Sequence, residues 1–193
     1  MNVMKIDLKN FLVFMIMFTT IFSTCHADDA NKTYVKISNL NVEDFFVRMG
    51  DFLYSDAIQK RFPIVITNLR RSPNDLEIDG AKYEVWSIFF AESGAEKADG
   101  EVTFFVDNDN CVFSLKITVK DNPKRELEYT SIFGAICWAL DLTIDESGTL
   151  LNERTYIQQD SYVSLVEQQD KNILATTIEH DNITRTIFNG VSK

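Results

Sequence analysis

The 193-residue sequence has few of the residues that usually mark a metal centre, a nucleotide site or a disulfide framework: two histidines, three cysteines and seven glycines. Two histidines cannot build a multi-histidine zinc site, and the glycines are scattered singly, so there is no phosphate-binding loop. The sequence also lacks the roughly 20 consecutive apolar residues that a membrane-spanning helix needs. We therefore expect no metal site, no cofactor and no stable membrane span.

The longest apolar run lies near the N-terminus, at residues 11–22. It follows Lys5 and Lys9 and precedes the short polar, small-residue stretch 23–27. A basic start, a short apolar run and small residues before a cleavage point are typical of an export signal. We interpret residues 1–27 as a cleaved signal peptide.

The remaining residues, 28–193, have an ordinary length for one globular domain, which we expect to be periplasmic or secreted. They contain 17 basic and 28 acidic residues, a formal charge of −11. Nucleic acid is not an expected partner, because phosphate binding requires a basic surface. An acidic surface instead attracts cationic partners over a long range. Lipid anchoring through Cys25 is the alternative, although Thr24 is unusual directly before a lipid-bearing cysteine.

Two cysteines, Cys111 and Cys137, remain after signal cleavage. In an oxidising compartment an even number of cysteines makes a disulfide between them possible. The alternative is that both are small buried apolar residues. Neither lies in a Cys-x-x-Cys pair or near a histidine in sequence, so a reactive thiol has no support.

The periodicity of apolar residues predicts an α+β fold. Residues 41–60 and 124–141 carry apolar stripes at helical spacing. Between them, β-like runs alternate with turn sequences, of which Asp79-Gly80 is the clearest hairpin signal. Three short strands follow near residues 162–166, 173–178 and 183–188. We predict an antiparallel β-meander with C-terminal strands added, covered by the two main helices.

Aromatic residues are dense in the predicted meander. The adjacent pairs Phe89-Phe90 and Phe104-Phe105 must point to opposite faces of a sheet, so both faces need apolar cover, which favours a sheet enclosed between helices. The alternative is that one face is incompletely covered and carries a ligand or a protein contact. The residues that we consider for such a binding surface are Tyr83, Trp86 and Trp138.

No catalytic residue is predicted. His180 is the only histidine after signal cleavage and lies in a predicted turn. The sequence contains no G-x-S-x-G motif whose serine a histidine would activate. The run from Asp107 to Asn110 resembles the start of a calcium loop, but Val112 and Thr118 stand where that loop needs glycine and glutamate. Acidic pairs such as Asp145-Glu146 are better explained as compensation of a helix dipole.

Three functional hypotheses follow from these observations. The first is an exported, acidic, non-enzymatic binding protein, inhibitor-like or immunity-like, with a cationic protein partner. The second is a small-ligand or envelope-maintenance module with an apolar pocket. The third, which we rank last, is a hydrolase. A large apolar cavity would favour the second hypothesis, whereas an acidic surface with exposed aromatic side chains would favour the first.

Overall fold

The computed structural model describes residues 33–120, 126–152, 155–158, 161–167, 172–180 and 183–192. The predicted signal peptide lies outside these residues. The described residues from Tyr34 onward belong to one compact unit. This unit is an α+β structure with a mostly antiparallel sheet and a few helices, so the predicted fold class is confirmed at that level.

The strands pair as neighbours in the order β2-β5-β6-β7-β11-β10-β9-β8, and β5 to β7 form the predicted meander. Short β1 pairs with β11, while β3 and β4 pair with β5. The bounds are β1 Tyr34–Val35, β2 Ile64–Ile66, β3 Arg70–Arg71, β4 Leu76–Ile78, β5 Ala81–Glu92, β6 Gly100–Val106, β7 Val112–Lys120, β8 Thr155–Gln158, β9 Ser161–Glu167, β10 Asn172–His180 and β11 Ile183–Val191.

The described helices are α1 Val42–Leu53, α2 Asp56–Gln59, α3 Glu126–Ala139 and α4 Ile144–Asn152. The prediction of one helix over residues 41–60 is wrong, because the backbone of Ser55 is extended, with φ −63° and ψ 145°, and interrupts the helix. The Ser55 hydroxyl donates to the Phe52 carbonyl at 2.7 Å, and such a local bond competes with helix continuation. The prediction of a helix over 124–141 corresponds to α3, and residues 124 and 125 lie outside the described residues.

Both main helices contact the same face of the sheet. Phe45 of α1 packs edge-on against Phe104 of β6, and Phe133 of α3 packs against Phe188 of β11. Phe104 and Phe188 stand in one cross-strand row, because both pair with Leu115 of β7. These described helix contacts therefore lie on one face, rather than on the two faces that the alternating aromatic residues predicted.

An irregularity in the meander interrupts the alternation of side chains along β7. Phe105 pairs with Ser114 but Val106 pairs with Val112, so Phe113 is an extra residue on the β7 side. Val112 is consequently fully buried in the core together with Leu115, not on the side of Ser114. The same bulge leaves Phe113 half-buried at the end of the hairpin.

Candidate functional site

The structure separates the three aromatic residues that the sequence singled out. Tyr83 and Trp86 lie on β5 three positions apart and therefore on opposite faces of that strand. Trp86 packs against the core, and its indole nitrogen donates to Glu84 Oε2 at 3.0 Å. Glu84 in turn forms an ion pair with Arg71, with 2.9 Å between Oε1 and Nη2, so the indole of Trp86 is tied to charged side chains of β5 and β3. Trp138 lies on α3, with 56% of its surface exposed.

Tyr83 lies among acidic residues contributed by two hairpin turns. Its ring contacts the ring of Phe113, with centroids 4.8 Å apart. Burial, followed by the negative charges of Asp107 and Asp79, raises the pKa of the Tyr83 hydroxyl above its usual value. Asp79 comes from the turn between β4 and β5, and Asp107 from the turn between β6 and β7. Their joint effect on one phenol shows that the two turns create a negative potential at this end of the sheet.

The first turn of α1 adds a further carboxylate to the same end of the molecule. Glu43 Oε2 accepts from the Asn110 side chain at 3.3 Å, which ties α1 to the β6–β7 turn. Asp109 in that turn is exposed, and the Lys36 ammonium lies 3.9 Å from its carboxylate. We call Glu43, Asp79, Tyr83, Asp107 and Asp109 the acidic end.

The turn from Asp107 to Asn110 is built as a hairpin connection. One oxygen of Asp107 accepts from the backbone amides of Asp109 and Cys111, both at 2.9 Å. Asn110 has a positive φ of 61°, which asparagine tolerates better than most residues. Across the described residues, no group of three or more His, Cys, Asp or Glu side chains is placed to hold a metal ion.

A second aromatic site lies at the other end of α1. The rings of Phe52 and Trp138 are 6.1 Å apart between centroids and tilted by 38°. Beside them, Arg48 Nη1 lies 2.9 Å from Asp141 Oδ1 and joins α1 to the chain after α3. We call Phe52 and Trp138 the aromatic pair. Phe52 lies nine positions after Glu43 on α1, which corresponds to about 14 Å along the helix axis.

The remaining sequence candidates have structural roles or positions away from these sites. Glu146 Oε2 accepts from the amide of Thr143 at 2.6 Å, and the Thr143 hydroxyl accepts from the amide of Glu146 at 3.2 Å. This reciprocal capping gives Glu146 a structural role at the start of α4, and Asp145 lies in the first turn of the same helix. His180 is the last residue of β10.

The two cysteines are free thiols in the structure, so the disulfide considered from the sequence is not formed there. Cys111 is half-buried, with the Lys36 ammonium 3.9 Å from its sulfur. Cys137 is buried in α3, where desolvation raises the pKa of its thiol to about 12 despite a hydrogen bond with Ser147. A thiol with this pKa is a packing residue, not a nucleophile, at neutral pH.

An open cavity of about 430 Å³ lies beside the segment 35–40. Its other walls are the end of α3 and the adjacent ends of β10 and β11. Apolar and polar side chains share the lining: Val35, Leu40, Leu140 and Ile173 on one hand, and Lys36 and Asp141 on the other. The cavity is therefore open and partly polar, unlike the apolar pocket of the second hypothesis.

Sequence reasoning missed that Asp79 and Asp107 act together on the hydroxyl of Tyr83. The signal was present, because alternate turns of an antiparallel meander lie at the same end of the sheet, and both Asp79 and Asp107 stand in such turns. Searches of protein-family models, curated proteins and solved structures found no match for this chain. No helix among the described residues is long and apolar enough to cross a membrane.

Proposed function

We propose that this protein is an exported, non-enzymatic binding protein that uses the acidic end to bind a cationic segment of a protein partner. The observation that carries the proposal is the position of Tyr83, whose hydroxyl has its pKa raised in part by carboxylates from two separate turns. An aromatic ring bordered by carboxylates suits a lysine or arginine side chain, which gains both ion pairing and contact with the ring face. The domain acts in the periplasm or after secretion.

The composition supports the same proposal. A strongly acidic chain attracts cationic partners before contact, and this steering weakens as salt screens the charges. At the acidic end, carboxylates come from α1 and from two turns, so the negative surface is assembled by the fold and not by one run of sequence.

The experiment measures binding of a short oligolysine peptide to the domain at low and moderate salt. We expect the double variant Asp79→Asn and Asp107→Asn to weaken binding about tenfold, which corresponds to roughly 1.4 kcal/mol. Asparagine keeps the side-chain oxygen that Asp107 uses in its turn and tolerates the positive φ of 50° at Asp79. The matched control, Glu92→Gln with Glu96→Gln, removes two exposed charges at the other end of β5.

A second measurement reports directly on the site. In the Asp79→Asn, Asp107→Asn variant the pKa of Tyr83 should move down toward its usual value, because two charges that raise it are gone. Spectrophotometric titration of the tyrosines follows this change. If the control variant weakens oligolysine binding as much as the site variant, binding depends on net charge alone and the proposal fails.

The cavity of about 430 Å³ supports a second candidate function, binding of a small ligand. Its volume falls within the usual range of small-molecule sites. Lys36 and Asp141 would then orient polar groups of the ligand, while Leu40 and Leu140 contact its apolar part. Native mass spectrometry of the purified domain tests this candidate, since a bound metabolite or lipid adds a defined mass.

A further inference from the structure

The exposed indole of Trp138 is the most unusual feature of α3. Its neighbours Cys137 and Ala139 are both 1% exposed, whereas Trp138 leaves 56% of its surface in solvent. A large aromatic side chain held at the surface is a frequent anchor of protein interfaces. Its ring is also supported, because Phe52 of α1 contacts it from the side.

The backbone of α3 is shaped so that Phe52 can take this position. Gly134 lies one helical turn before Trp138, and a Cβ built on it would stand only 3.2 Å from the Phe52 ring. The absence of a side chain at Gly134 lets the ring of Phe52 lie close to the backbone of α3. The aromatic pair is thus a preorganised surface and not an isolated exposed residue.

The solvent side of α1 carries a further exposed apolar residue and two exposed carboxylates. Val47 is 56% exposed, and Asp44 and Asp51 are exposed on the same side of the helix, three residues before and four residues after it. The one basic residue of α1, Arg48, forms the ion pair with Asp141. The surface therefore combines apolar contacts with an excess of negative charge.

This acidic and apolar surface is continuous with the acidic end, because Glu43 in the first turn of α1 reaches Asn110. We propose that the partner segment is a basic amphipathic helix that lies along α1. Its basic side chains face the acidic end and Asp51, and one of its apolar side chains packs on the aromatic pair. The spacing of about 14 Å along α1 equals two to three turns of such a helix. This inference rests on the proposed function and adds the nature of the partner segment.

The test uses two synthetic peptides of identical leucine and lysine composition. In one peptide the residues are spaced to form an amphipathic helix, and in the other the order is scrambled. We expect the amphipathic peptide to bind the domain about tenfold more tightly than the scrambled one, because only it can present apolar and basic side chains on separate faces. Fluorescence anisotropy of labelled peptide gives both affinities.

Variants of the domain locate the contact. Trp138→Ala should weaken binding of the amphipathic peptide about tenfold while leaving oligolysine binding unchanged, since interface anchors of this kind dominate affinity. Val47→Lys introduces a like charge at an exposed position and should weaken the same peptide several-fold. Phe89→Ala is the matched control, because Phe89 is also an exposed aromatic residue but lies on β5.

The outcomes separate the two proposals. If Trp138→Ala and Phe89→Ala have equal effects, or if the scrambled peptide binds as tightly as the amphipathic one, the helical partner is overturned. Oligolysine binding that still depends on Asp79 and Asp107 would then leave the proposed function standing. If neither oligolysine nor the amphipathic peptide binds, both proposals are overturned.

Discussion

Helices α1 and α3 pack against each other on one face of the sheet, but they use their surfaces in opposite ways. In α1 the residues toward the sheet, Phe45 and Met49 among them, are fully buried, and the solvent side is acidic. In α3, Ile132 and Ile136 are fully buried, and the exposed Trp138 interrupts an otherwise buried stretch. The comparison shows that α1 has one buried apolar side and one exposed acidic side, whereas between residues 131 and 139 of α3 Trp138 is the one exposed position.

The largest effect should come from shortening a core side chain of α3. Ile136 has no exposed surface, so Ile136→Ala removes buried methyl groups and leaves a cavity that costs about 3 kcal/mol. Val47→Ala on the solvent side of α1 should change stability by less than about 0.5 kcal/mol. Urea denaturation of both variants makes the comparison. If both variants lost the same free energy of unfolding, the core side of α3 and the solvent side of α1 would not differ as their burial indicates.

A second contrast concerns charged side chains: the carboxylates of α1 are exposed, whereas Lys116 of β7 is desolvated. Desolvation by burial lowers the pKa of the Lys116 ammonium to about 8, with Glu101 acting in the opposite direction and Arg185 in the same direction. In the unfolded chain this pKa is higher, near 10.4. Between the two values the unfolded state binds the proton and the folded state does not.

We therefore expect the free energy of unfolding of the wild type to rise between pH 7 and 9, by on the order of 1 kcal/mol, as the folded state loses the Lys116 proton. Lys116→Met should be more stable than wild type at neutral pH and should lose this dependence. Denaturation between pH 7 and 9 is the measurement, because above pH 9 the raised pKa of Cys137 acts with the opposite sign. A wild-type stability that falls over this range, relative to the variant, would contradict the assignment.

The parts of the fold that follow from local chemistry could be predicted from the sequence. The Asp79-Gly80 hairpin appears with positive φ at both residues, because the turn chemistry of this pair acts locally. Helix α1 could also be predicted, since the spacing of its apolar residues places them on one helix face. The meander strands followed from period-two alternation between turns.

The features that depend on distant contacts could not be predicted. The helix break at Ser55 is supported by Gln59, whose side chain donates to the carbonyls of Leu53 and Ile64. The bulge at Phe113 and the strand β8 likewise depend on neighbouring strands. The candidate site was only partly accessible: the sequence selected Tyr83 and Trp138, but the contacts that assign them to opposite ends of α1 are tertiary.

The smallest expected effect concerns the ion pair between Arg48 of α1 and Asp141, which follows the end of α3. The two side chains are 40% and 72% exposed, so solvent screens their attraction, and we expect a coupling energy of at most about 0.5 kcal/mol. A double-mutant cycle with Arg48→Met and Asp141→Asn measures it, because methionine keeps much of the apolar stem and asparagine tolerates the positive φ of 56° at this position. The coupling should fall further at high salt. A coupling well above this range would mean that α1 and α3 are joined by charge as well as by packing, and the contrast between the acidic exposed side of α1 and the buried surface of α3 would then be less sharp than their burial indicates.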